Sequence, residues 1–192
     1  FGNLHISTGD MLREAMRRKT PLGLQVASSM ERGELIADDL MGAIVSQRLA
    51  QADVRQNGYL LDGLPRTLPQ ATTLETIVST LPLEPPEVVL IDANRDLILK
   101  RLSARRICRA CGAVYNVLFT PPKDEGICDQ CGGALYQRAD DTEETAGERL
   151  AVYDRETQPL VSHYRDQGKL RHFLCEGDRV ENFRALRILL QL

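Results

Sequence analysis

Short apolar runs alternate along this chain with longer stretches of helix-forming residues. Tyr59-Leu60-Leu61 runs into Asp62-Gly63-Leu64-Pro65-Arg66-Thr67, and Val88-Val89-Leu90-Ile91 runs into Asp92. Unbroken hydrophobicity of this length, bounded by Gly, Pro or Asp, is the pattern of strands buried on both faces of a parallel sheet. Gly63 frees the backbone and Pro65 cannot donate to a ladder, so the first of these strands ends abruptly. Leu4-His5-Ile6 predicts a further strand, handing over through Ser7-Thr8-Gly9-Asp10 to a helix that begins at Met11, and residues 171–174 predict a last one.

Helices fill the intervals. Residues 21–32 read as a helix stopped by Gly33, and residues 38–50 as the start of another that stops before Gly58. Pro69 falls near the first turn of a helix over 68–78, where a missing amide costs little. Asn94 caps a helix over 95–106, whose Arg101 and Arg105 lie four apart and so share a face. A long helix runs from Thr142 through residues 160–164, and Gly177-Asp178-Arg179-Val180 opens the last one.

Composition narrows the classes. A chain of 192 residues, 43% hydrophobic and 27% charged, can bury one substantial core with a smaller insert. It has no apolar run of about eighteen residues to span a membrane, so a cytoplasmic protein with no membrane partner is expected. A net charge of −3 argues against a generic nucleic-acid binder. The chain opens on Phe1 with no signal-peptide pattern and reads as already begun.

Two Cys-x-x-Cys pairs, Cys108/Cys111 and Cys128/Cys131, lie sixteen residues apart. That spacing matches a four-thiolate zinc knuckle, each pair giving two ligands to a tetrahedral ion. Residues 107–141 around them hold too few apolar side chains for a core of their own, so metal would supply much of their folding free energy. Four thiolates leave no open position for water, which makes the metal structural. Cys175 reads as a small buried hydrophobe in the final strand.

Asp62 and Arg66 sit where the first apolar run ends. In open α/β sheets ligands bind at the carboxyl ends of strands, and a guanidinium holds a phosphate or carboxylate in bidentate fashion. At Ser7 to Asp10 a strand hands over to a helix through small hydrogen-bonding residues, leaving an electropositive helix start with Arg13 one turn in.

Taken in order, Ser7-Thr8-Gly9-Asp10-Met11-Leu12-Arg13, Asp62-Gly63-Leu64-Pro65-Arg66-Thr67 with Gln70, the Arg101/Arg105 pair, the four cysteines and Arg138-Ala139-Asp140-Asp141 closely resemble the adenylate kinase family in its long-lid, zinc-bearing bacterial form. Leu64 stands where that family usually has Phe. The resemblance implies a P-loop-kinase α/β fold with a parallel sheet flanked by helices. Its core would be 1–8, 58–106 and 142–192, its helical nucleoside-monophosphate (NMP) region 9–57 and its zinc lid 107–141. It implies the reaction ATP + AMP ⇌ 2 ADP with magnesium, in a monomer. Thr8, Arg13, Gly63, Arg66 and Gln70 would hold AMP, with the backbone of Glu34, Leu35 and Ile36 against its adenine. Arg101 would stack on the ATP adenine, Arg105 would reach its phosphates, Val114 and Tyr115 would sit on the lid face, and the Arg179 backbone would contact the ATP base. Arg138 and Arg149 would clamp the transferring phosphoryl group and touch AMP, while Asp62 would hold magnesium through water, with Asp10 as a second candidate.

One departure stands out. No Gly-x-x-x-x-Gly-Lys-[Ser/Thr] occurs in these 192 residues. In the family that loop and its strand precede the segment beginning here and lie mid-sheet, so a chain of these residues alone is expected to be inactive or impaired, with an incomplete core. Two other classes compete. A zinc-ribbon nucleic-acid module would use the same cysteines, but would surround them with basic and aromatic residues rather than Asp140-Asp141-Thr142-Glu143-Glu144. A non-catalytic AMP-binding regulatory fragment would share the AMP residues.

Overall fold

The computed structural model describes residues 2–191. Phe1 and Leu192, which the expected core includes, lie outside them. The elements alternate in a mixed α/β order. Strand β1 (Leu4–Ser7) leads directly into α1 (Thr8–Arg17), followed by α2 (Pro21–Glu31), α3 (Asp38–Leu49) and the short α4 (Ala52–Asn57). Strand β2 (Tyr59–Asp62) and α5 (Leu68–Thr80) come next, then β3 (Val88–Asp92) and α6 (Arg95–Ser103). A three-stranded antiparallel sheet of β4 (Arg105–Cys108), β5 (Val114–Asn116) and β6 (Leu135–Tyr136) carries the cysteines, with β4 in the middle. Helix α7 (Glu143–Val152) continues through a π-helical stretch, Tyr153–Thr157, into α8 (Pro159–Asp166). Strand β7 (Leu170–Leu174) and α9 (Arg179–Leu189) finish the chain.

Side chains of Ser, Thr, Asn and Asp set the helix starts by satisfying orphan amides. Ser7 accepts from the Asp10 N–H, Thr20 from Gly23, Thr67 from Gln70 and Asn94 from Asp96. Asp178 and Glu181 form a reciprocal capping box at α9.

The chain divides into two compact units, Phe1–Val88 with Leu150–Leu170, and Val89–Arg149 with Arg171–Leu192. In the first, β1 and β2 pair in parallel, Ser7 opposite Asp62, so both strands end at one level. Ile6, Leu12, Val26, Met41, Val45, Leu49, Val54, Leu64, Leu74 and Val78 form its buried core. Helices α1 and α2 cross with almost no room between them. A Cβ on Gly23 would fall 2.1 Å from the Ala15 carbonyl oxygen, so this corner packs backbone against backbone.

Strands β3 and β7 make a separate two-stranded sheet, and neither strand pair is extended by another strand among the described residues. Apolar strand residues expected to be enclosed are therefore open to solvent: Leu60 is 61% exposed, Ile91 60% and Leu174 53%.

The expected 95–106 helix is two elements. Helix α6 stops at Ser103, Ala104 takes the C-cap, and Arg105 begins β4. Pairing with Asn116 across the β4–β5 ladder draws the chain into an extended path, so Arg101 and Arg105 do not share a helix face. Similarly, the helical stretch over 38–57 is broken after Leu49 into α3 and α4.

Candidate active site

In the first unit the predicted phosphate residues meet where β1 and β2 end. Thr8, fully enclosed, donates its hydroxyl to the carbonyls of Asp62 (3.3 Å) and Gly63 (3.2 Å). The Arg66 Nε donates to the same Gly63 carbonyl at 2.9 Å, and Thr157 donates to the Arg66 carbonyl at 2.8 Å. Gly63 has φ of +84°, and a Cβ there would lie 2.8 Å from Thr8 Oγ1 and 2.9 Å from an Arg66 Nη, so only glycine fits. Gln70 is buried one turn into α5, where its Oε1 accepts from the Arg66 N–H at 2.8 Å. Arg13 lies across Asp10 at 2.7 Å and covers Gly9. The Asp62 carboxylate is exposed at the strand end and accepts from His5 Nε2 at 3.1 Å.

Glu34, Leu35 and Ile36 form the connector between α2 and α3. Arg32 grips Glu34 with two bonds of 2.7 Å, which hold its carboxyl below the usual range, and Ile36 packs on the core.

The second unit holds a separate cationic cluster. Arg105 reaches the Asp141 carboxylate with its Nε at 2.8 Å and also with an Nη. Arg149 stands 3.6 Å from Asp140 and 3.9 Å from Asp141. Asp141 is completely enclosed, and its N–H returns to the Arg138 carbonyl at 3.2 Å. A buried carboxylate facing two guanidiniums is paired on both sides and holds both in place. Arg101 donates to the Cys175 carbonyl at 2.9 Å and lies 6.0 Å from the Phe119 ring. Arg179 opens α9.

The four cysteines converge, their sulfurs all within 4.8 Å of one another. Cys108 and Cys131 are 3.5 Å apart, Cys111 and Cys128 3.6 Å. Tetrahedral ligation at about 2.3 Å per sulfur requires S···S separations of about 3.8 Å; these two pairs lie near that value, and the set could hold a metal ion. Val114 on β5 is exposed, whereas Tyr115 turns inward and donates its hydroxyl to Cys128 Sγ at 3.5 Å while accepting from the Asp129 N–H at 2.8 Å. That hydroxyl is the foremost cause pulling the Cys128 thiol down to about 6, and the same contact pushes Tyr115 up to about 12. Arg109 stacks 4.4 Å over the Tyr136 ring beside the sulfurs.

Three residues in these clusters carry no forecast role. Thr67 and Asp38 bond to each other at 3.1 Å and Asp38 also bonds Gln70, while Asp141 organises the second cluster. Thr67 had a sequence signal, a cap residue two before Pro69; Asp38 and Asp141 gain their partners only from tertiary proximity, 32 and 36 residues away.

A mixed α/β chain that gathers guanidiniums and capped helix starts in this way belongs among proteins that handle phosphate groups. A family profile described as adenylate kinase matches residues 1–169. The adenylate kinase of Geobacillus sp. (strain WCH70) is 47% identical over 190 residues, covering 99% of this chain and 88% of the relative. That of Carboxydothermus hydrogenoformans is 44% identical over 191 residues (100% and 89%), and that of Bacillus subtilis (strain 168) 44% over 190 residues (99% and 87%). The chain belongs to the adenylate kinase family, and its chemistry is that of a nucleoside-monophosphate kinase, a phosphotransferase. No helix among the described residues is long and apolar enough to cross a membrane.

Proposed function

We propose that these residues serve the reaction ATP + AMP ⇌ 2 ADP, with the cluster at the ends of β1 and β2 holding AMP. The observation that carries this reading is the mutual bracing of Thr8, Gly63, Arg66 and Gln70 around one strand end. Phosphoryl transfer asks a protein for position and charge neutralisation rather than covalent chemistry. Arg66 and Arg13 would meet the AMP phosphate, and Glu34, Leu35 and Ile36 would line its base. Arg105, Arg138 and Arg149 would spread over the transferring group, Arg105 and Arg149 already oriented by Asp141. Arg101, Val114, Tyr115 and Arg179 belong to the ATP side; Tyr115, being enclosed, would act through its backbone.

Magnesium, when bound, neutralises phosphate charge, and Asp62 would hold it through water. The four thiolates fit zinc as a structural ion that fixes the two knuckles. We read 1–8, 58–106 and 142–192 as core, 9–57 as the NMP-binding region and 107–141 as the lid, in a monomeric cytoplasmic protein.

A polypeptide of these 192 residues alone, without Gly-x-x-x-x-Gly-Lys-[Ser/Thr], is expected to turn over weakly or not at all. A coupled assay for ADP tests both statements on this chain and on the same chain fused to a P-loop segment. Activity in the fusion that falls at least about 100-fold in Arg66→Ala supports the reading, on the scale of one lost charge-assisted contact in phosphoryl transfer. A fusion that folds yet makes no ADP from ATP and AMP overturns it.

A further inference from the structure

Gln70 is an amide whose two ends are each claimed by a partner of fixed polarity. Its Oε1 accepts from the Arg66 backbone N–H at 2.8 Å, and that group can only donate. Its Nε2 donates to Asp38 Oδ1 at 2.8 Å, and a carboxylate can only accept. Turning the amide over would set donor against donor and acceptor against acceptor inside a side chain that is 4% exposed. Asp38 is itself held: Thr67 donates to both of its oxygens at 3.1 Å, and it stands in the first turn of α3, where the helix dipole favours a carboxylate. Asp38 reaches the Arg66 backbone by way of Gln70, so its effect on a ligand runs through that amide.

From this geometry we infer that Asp38 is a positioning residue that sets nucleobase choice by locking the orientation of the Gln70 amide. The inference rests on the reading of this cluster as the AMP site. With one N–H spent on Asp38 and one lone pair on Arg66, a single N–H and a single lone pair remain, in fixed places. Adenine offers an N6–H donor beside the N1 acceptor. Hypoxanthine has the same shape with the two roles exchanged, an O6 acceptor beside an N1–H donor. With the phosphate anchored at Arg66, a locked amide matches one of these edges and opposes the other, and a site built to hydrogen-bond one pattern rejects its reverse. An amide free to turn accepts both.

The test is calorimetric binding of AMP and inosine monophosphate to the 192-residue protein and to two variants. Asp38→Asn supplies an amide that welcomes either end of Gln70. Asp38→Ser keeps a good helix-start residue while removing the obligate acceptor, and guards against one variant failing to fold. The wild-type protein should prefer AMP, and the AMP-to-inosine-monophosphate ratio should fall roughly tenfold in the variants, mainly by better inosine monophosphate binding, as expected for one polar mismatch relieved. A merely structural role would weaken both nucleotides together and leave the ratio alone, which overturns the inference. Equal wild-type affinity for the two nucleotides overturns it as well. If the wild-type protein binds neither, the reading of the cluster as a monophosphate site fails first and this inference falls with it.

Discussion

In the first unit Val26, Val45, Leu49 and Val54 lie sealed within an apolar core that runs from β1 to α5, whereas the knuckle region of the second gathers only Cys108, Tyr115 and Cys128, with Ala113 and Leu135 against them. Val114, Leu118, Phe119 and Ile127 of the knuckle region are roughly half or more open to solvent. Burial at about 25 cal/mol per Å² sustains the helices, but so few enclosed atoms cannot sustain the knuckles. Their order rests on four sulfurs drawn to one point. One chain thus combines a part that stands on its own packing and a part whose four clustered thiols could hold a metal ion.

The contrast can be broken most completely by removing the metal. Treatment with a chelator should abolish amide-exchange protection across β4, β5 and β6 while leaving α3 and α5 protected, because binding free energy is folding free energy in such modules. Equal loss in both regions would show that they are not held independently. Leu49→Ala works on the other side. It should cost about 2–5 kcal/mol in denaturant unfolding, as a fully enclosed leucine does, with one zinc per chain retained by mass spectrometry under native conditions. Tyr115→Phe is the mildest and sharpens the comparison, since it deletes one hydroxyl on Cys128 and leaves the ring. Zinc should pass to a chromogenic chelator roughly tenfold faster, the scale of a lost contact behind a metal ligand, with the melting of the first unit unmoved.

How far the chain could be read in advance follows the same division. Where local chemistry decides, the pattern was legible: Ser7, Asn94 and Asp178 announce their helices, two Cys-x-x-Cys pairs announce a metal site, and Asp62 to Arg66 announce a strand end. Where distant partners decide, it was not. Arg105 continues a helical rhythm, yet Asn116 and Asp141 draw it into a strand. Tyr115 sits on an exposed-looking hairpin, yet the sulfur it meets lies 13 residues on. Asp38 looks like an ordinary first-turn acid until Thr67 and Gln70 arrive from α5.

The glycine at the crossing of α1 and α2 carries a consequence for motion. With Gly23 lying against the Ala15 carbonyl, the two helices have no side-chain cushion at that point. They form an elbow set at one angle, and α1 begins at Thr8, inside the strand-end cluster. A load taken up at Thr8 or Arg13 therefore meets α2 at a backbone contact, and the next glycine along the chain, Gly33 with φ of +72°, stands at the connector to α3.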